Sequence, residues 1–136
     1  MAVEVYLTFN GNCREAVSFY KDVFETEEPK FMTFGDAPHG SDSVQEEAKD
    51  LIMHTRLVID GSTVMFSDTF PGAPYSVGNN ITLAYVAENA EKLKAVYERL
   101  KENGNVKMEL QETFWSKLYG QVEDRFGVLW QLNLGE

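Results

Sequence analysis

The sequence predicts an α+β fold of two βαβββ modules whose strands form a cup-shaped mixed sheet with the helices outside. Three observations carry this expectation. Two stretches of helical periodicity, Ala16–Phe24 and Ala90–Leu100, are each preceded by one strand-like run and followed by three. A Pro- and Gly-containing stretch without periodicity, Thr69 to Asn79, separates the two sets. The chain then ends on Thr113 to Asn133, where Trp115, Tyr119, Phe126 and Trp130 make a hairpin so aromatic that it needs a concave partner surface.

In order, Val3 to Phe9 alternates Val3, Val5, Leu7 and Phe9 on one face with Glu4, Tyr6 and Thr8 on the other, as a strand does. Asn10-Gly11 ends it. Asn12 is placed to cap a helix, with Glu15 three residues on, and Ala16, Phe19, Tyr20, Val23 and Phe24 give that helix its apolar face. The helix is expected to stop near Glu25, before Pro29, and a strand to follow over Lys30 to Phe34. Gly35 to Asp50 reads as a surface loop with one helical turn at most, and His39 in it as solvated surface. Leu51–Ile59 and Ser62–Asp68 form a hairpin through Asp60-Gly61.

After the linker the order repeats. Ile81 to Val86 is a strand, Asn89 caps the second helix, Asn103-Gly104 ends it, and Val106 to Leu110 is a strand. In the aromatic stretch, Gly120 and Phe126-Gly127 are expected to break the chain, and Val128 to Asn133 to run as a half-buried strand. The 136 residues therefore make a single domain, with module 1 over about residues 1–70, the linker about 70–79 and module 2 about 80–136. Units of this size are too small to be stable apart and are expected to share one core.

Composition narrows the partners. A formal net charge of -10 argues against nucleic acid and anionic membranes, which would be repelled. No apolar run approaches the roughly 20 residues of a membrane helix. The N-terminus shows no signal-peptide pattern, and the lone Cys13 has no intrachain partner, so a cytoplasmic location is expected.

Four segments carry a family resemblance. They are Tyr6-Leu7-Thr8-Phe9-Asn10-Gly11-Asn12 followed by Ala16 and Phe19-Tyr20; Met53-His54 with Ser67-Asp68; Gln111-Glu112-Thr113-Phe114-Trp115; and Tyr119-Gly120 through Asp124-Arg125-Phe126-Gly127-Val128-Leu129-Trp130. Together they resemble the vicinal oxygen chelate superfamily (glyoxalase I, fosfomycin and bleomycin resistance proteins, extradiol dioxygenases). Within it they look like the PhnB-like branch, sometimes described as 3-demethylubiquinone-9 3-methyltransferase-like. The resemblance implies the glyoxalase/bleomycin resistance fold, a small organic ligand and a homodimer. It also implies metal ligands in the metal-dependent members. Their positions fall here on Val5, Asn80, Gln131 and Met65 or Phe66. These side chains supply neither imidazole nor carboxylate, so no metal site and no cofactor are expected, although a divalent ion held by other residues stays open. No glycine-rich strand-to-helix turn supports a nucleotide cofactor for methyl transfer.

The remaining polar residues are the candidates for function. His54 and Asp68 belong to one hairpin and are the candidate acid–base pair; the bland alternatives are a structural histidine and an aspartate capping a turn. Trp115, Tyr119, Gln131 and Asn80 are the candidate pocket residues, although core packing accounts equally well for the two aromatics. Asp124-Arg125 reads as a turn ion pair, and Cys13 as structural. Two functions stay open. One is a binding protein for a small organic molecule that lacks the usual metal triad. The other is a metal-dependent or His/Asp-based enzyme, lyase-like or dioxygenase-like.

Overall fold

In the computed structural model of the protein, residues 2–36 and 46–135 are described. His39 and most of the expected loop lie outside them. The chain divides into two compact units, Met1–Tyr75 and Ser76–Glu136.

The first unit contains β1 (Val5–Phe9), α1 (Cys13–Phe24), β2 (Met32–Thr33), β3 (Ile52–Ile59) and β4 (Ser62–Asp68). The second contains β5 (Leu83–Ala87), α2 (Ala90–Leu100), β6 (Asn105–Gln111), β7 (Tyr119–Glu123) and β8 (Leu129–Leu134). Each unit is a four-stranded mixed sheet, in the order β1-β4-β3-β2 and β5-β8-β7-β6. Both first strands run parallel to the last strand of their own unit. The same permutation therefore occurs twice, and the repeat read from the sequence is a repeat of topology. This is the α+β, two-module glyoxalase/bleomycin resistance fold.

In module 1 the two-residue period decides which side chains meet the helix. Phe9 and Phe66 lie against Tyr20 of α1, with ring centroids 6.5 and 5.9 Å away. By alternation Leu7 and Val5 share the face of Phe9, while Tyr6 and Thr8 take the helix-free face. Ala16, Val17, Tyr20, Val23 and Phe24 are the buried side of α1. The start of the helix departs from the sequence expectation. The side chain of Asn12 makes no capping bond. Asp68 does the work from the end of β4: its Oδ1 accepts the N–H groups of Gly11 and Cys13, both at 2.9 Å. Its Oδ2 accepts the N–H of Ile52 at 2.9 Å, so one carboxylate ties the ends of three elements.

The β3–β4 hairpin forms as predicted, turning at Asp60 and Gly61 with φ of 47° and 89°, both in the left-handed region of a two-residue hairpin turn. On its other side, β3 pairs with β2 through Met32–His54 and Thr33–Ile52. That pairing leaves one extra residue on β3, a bulge at Met53. The expected strand Lys30 to Phe34 shrinks to β2, because Phe34 already opens a 3-10 turn.

In module 2 the Asn89 side chain caps α2, its Oδ1 accepting the Lys92 N–H at 3.1 Å. Leu93, Val96, Tyr97 and Leu100 are buried on this helix, as are Tyr85, Trp130 and Leu132 on the strands it packs against. Gly120 does not break the chain as expected; it sits inside β7. A Cβ there would meet Leu110 Cδ2 at 3.0 Å and Met108 O at 3.1 Å, where the irregular β6 presses on β7. Asp124 organises the turn that follows β7. It is buried and accepts the N–H groups of Phe126, Val128 and the Trp130 indole at 2.8, 3.1 and 2.8 Å. Arg125 also reaches Glu102, Nη2 to Oε2 at 3.6 Å.

Candidate functional site

The helix-free face of each sheet carries the polar and aromatic residues that the helices do not consume. In module 1 that face holds Tyr6, His54 and Arg56, with the His54 ring 5.9 Å from that of Tyr6. Lys30, Phe31, Met32, Asp36 and His54 line a cleft of about 350 Å³. Asp36 there accepts the Thr33 N–H at 3.2 Å, which lowers its carboxyl pKa below the usual value. His54 is half-buried, and none of the described residues hydrogen-bonds its side chain.

The hairpin argument for pairing His54 with Asp68 does not survive the register. Thr55 lies opposite Phe66, which carries His54 toward Ser67 and not toward Asp68. Asp68 shares the face of Phe66, the helix side, while His54 lies on the other face. Asp68 is 4% exposed, with both oxygens held by backbone N–H groups, so among these contacts it does not orient an imidazole. Cys13 beside it is fully buried; burial and the Asp68 charge push its thiol up to about 12.

Module 2 presents a different arrangement. Trp130 and Leu132 are buried toward α2, so Gln131 and Asn133 project from the other face of β8. On β7, Tyr119 lies opposite Asn133 and Gln121 opposite Gln131, forming a two-by-two block on adjacent strands. Side chains opposite each other in an antiparallel pair have Cβ atoms about 5 Å apart. Tyr119 Oη accepts a hydrogen bond from Gln121 Nε2 at 3.1 Å. The Trp115 ring stands edge-on to Tyr119, centroids 5.3 Å apart at 73°. Asn133 Oδ1 is buried and has no hydrogen-bond partner among the described residues.

Two clefts flank this block. One of about 370 Å³ is lined by Asn79, Thr82, Lys107, Gln121, Glu123 and Gln131, among others. The second, of about 680 Å³, is lined by Phe114, Trp115, Lys117, Glu112 and Leu134, among others. Tyr119 joins Trp115 to the carboxamide block, whereas Asn79, and not the expected Asn80, lines the first cleft. Gln121 and Asn133 were missed in the sequence. The signal was there: Tyr119 and Gln121, like Gln131 and Asn133, are two residues apart and must share a face once both runs are strands.

Comparison with known proteins places this architecture. Residues 3–132 match the model of the Glyoxalase/Bleomycin resistance protein/Dioxygenase superfamily. The chain belongs to this superfamily. It is 32% identical to Protein YjdN of Escherichia coli (strain K12) over 141 residues, covering 98% of this chain and 95% of that one. The crystal structure of protein PA1353 from Pseudomonas aeruginosa is similar at 35% identity and a TM-score of 0.87, covering 98% of this chain and 97% of the other. A Bacillus cereus structure described as a putative 3-demethylubiquinone-9 3-methyltransferase, PhnB protein, has a TM-score of 0.78 at 22% identity, covering 99% and 100% of the two chains. That likeness is one of fold, and it agrees with the PhnB-like resemblance.

Metal-dependent members of the superfamily set a standard against which these residues can be tested. Among the described residues, no three His, Cys, Asp or Glu side chains gather to hold a metal ion. Val5 shares the helix side with Phe9, so the first-strand ligand position counted from the resemblance does not lie on the helix-free face; Tyr6 does. Phe66 is likewise stacked beneath α1, which leaves Met65 on the helix-free side. Gln131 does lie on the helix-free face, but its neighbours in the block are a phenol and two carboxamides. This donor set does not fit the imidazole and carboxylate ligation of a first-row divalent ion.

Proposed function

We propose that this superfamily member binds a small organic molecule on the helix-free face of module 2, without the superfamily's usual metal triad. The observation that carries the reading is the buried Asn133 Oδ1, unpartnered among the described residues, in a block with Tyr119, Gln121 and Gln131. Buried polar atoms are nearly always hydrogen-bonded, and each exception calls for a partner such as a water, an ion or a ligand. The Trp115–Tyr119 pair supplies an apolar wall beside the polar block, the usual composition of a ligand pocket. Neither the cytoplasm nor a homodimeric assembly conflicts with this role.

Screening small organic fragments against chelator-treated protein, by the side-chain amide resonances of Gln121, Gln131 and Asn133, tests the proposal. Fragments that move those resonances in metal-free protein support it. Loss of all binding on chelation, with recovery on adding a divalent ion, overturns it.

A second reading, proton transfer by His54, is favoured by one observation. The imidazole is half-buried beside Tyr6 at the edge of a cleft and is not committed to a structural hydrogen bond among the described residues. In that reading His54 acts without Asp68. A substrate turnover that is abolished in His54→Ala while the variant stays folded would favour it over simple binding.

A further inference from the structure

We infer that the block of Tyr119, Gln121, Gln131 and Asn133 recognises an uncharged amide- or urea-type group, one that carries N–H and C=O side by side. The inference rests on the reading of this face as the binding face and adds the chemical class of what binds. The four side chains bear no formal charge, and their hydrogen-bonding capacity is only partly spent. Gln121 Nε2 donates to Tyr119 Oη, which leaves the Tyr119 O–H as a donor and Gln121 Oε1 as an acceptor. The side chains of Gln131 and Asn133 make no hydrogen bond among the described residues. The block therefore offers both donors and acceptors, on side chains about 5 Å apart across the strands.

An anion is poorly served here. Each ammonium group that lines a flanking cleft shares it with carboxylates: Lys107 faces Glu123 Oε1 at 3.8 Å, and Lys117 stands in the second cleft with Glu88 and Glu112. The chain's net charge of -10 adds to the penalty for a negative ligand. A purely apolar ligand fails differently, since it would leave Asn133 Oδ1 buried and unmatched. A carboxamide head rotated by half a turn exchanges its oxygen for its NH₂ group. A ligand group that is both donor and acceptor satisfies either orientation, and a planar amide or urea is the smallest that does so. The ring of Trp115 beside Tyr119 suits an aromatic or aliphatic substituent on that group.

The test uses the isotope-labelled full chain and four probes: benzamide, phenylurea, benzoate and phenylphosphonate. Benzamide and phenylurea are expected to shift the side-chain NH₂ resonances of Gln121, Gln131 and Asn133, and to bind at least about tenfold tighter than the two anions. Gln131→Leu and Asn133→Leu are each expected to weaken benzamide binding about tenfold. Gln131 is half-buried and replaceable by an apolar residue of similar size, so its variant decides the matter if Asn133→Leu does not fold. Benzoate or phenylphosphonate binding as tightly as benzamide at these resonances overturns the amide assignment but leaves the binding face in place. If none of the four probes moves these resonances, the amide assignment fails. If no fragment of any kind does, the binding face fails with it.

Discussion

Asp68 Oδ1 accepts the backbone N–H of Cys13 at 2.9 Å across 55 residues of chain, binding the end of β4 to the first turn of α1. With the Gly11 and Ile52 N–H groups, this makes Asp68 the acceptor for three donors at the junction of β1, α1 and β3. Asp68→Ala would leave those donors without an acceptor in a buried place. The expected loss of stability is about 3–5 kcal/mol, measured by urea denaturation. Asp68→Asn keeps one acceptor oxygen and is expected to lose less. A loss below about 1 kcal/mol in Asp68→Ala would show that the junction is held by packing alone.

The Cys13 thiol, raised from 9.0 to about 12, makes stability depend on pH in the alkaline range. Below pH 9 both folded and unfolded chains carry the thiol proton, and Cys13 contributes no pH dependence. Above it the unfolded chain loses the proton while the native state keeps it. The unfolded state then binds fewer protons, and stability falls as pH rises. The slope approaches about 1.4 kcal/mol per pH unit until the native thiol also titrates. Comparison of wild type with Cys13→Ala at pH 8 and pH 10.5 isolates this contribution. The same burial predicts that a thiol reagent modifies the native protein only after unfolding, and rapid labelling at neutral pH would contradict it.

Asp124 organises the last turn as Asp68 organises the first helix. Its Oδ2 accepts the indole N–H of Trp130 at 2.8 Å, and its Oδ1 the N–H groups of Phe126 and Val128. Asp124→Ala is expected to destabilise the protein by about 2–4 kcal/mol and to change the tryptophan emission of the native state. Native emission identical to wild type would mean that the indole had found another acceptor.

His54→Ala is expected to cost less than about 1 kcal/mol of stability, because the side chain is half-buried and makes no hydrogen bond among the described residues. If His54 contacts a ligand, the same variant weakens binding by about 1–3 kcal/mol. Unfolding of the variant, with ligand affinity intact in what remains folded, would make the residue structural.

Sedimentation at micromolar concentration is expected to give twice the 15.4 kDa chain mass, the two-fold pair being the commonest closed assembly. A monomer under those conditions contradicts the homodimer.

Much of this architecture was legible in the chain itself, for a local reason. Helical and strand periods are written in neighbouring residues, so α1, α2, the Asp60-Gly61 hairpin and the repeat after the linker could all be read before any contact was known. Gln131 could be placed on a face for the same reason. Local rules also produced the errors. Asn12 looked like the cap of α1 because it stands in the right place in sequence, and Gly120 looked like a break because glycine usually is one.

Tertiary structure alone decided what depends on distant partners. The β3–β4 register that turns His54 away from Asp68 already follows from the two-residue turn at Asp60-Gly61; what tertiary structure adds is that Asp68 is spent on distant backbone donors. Only the fold brings Asp68 to the helix start that Asn12 was expected to cap, because the two are far apart in sequence and the bond forms when β4 lies beside β1. The β7–β8 register, likewise, gathers Tyr119, Gln121, Gln131 and Asn133 into one block and leaves a buried oxygen in it without a partner among the described residues. Periodicity places a side chain on a face; which side chains meet there is set by pairing between strands, and that pairing is non-local.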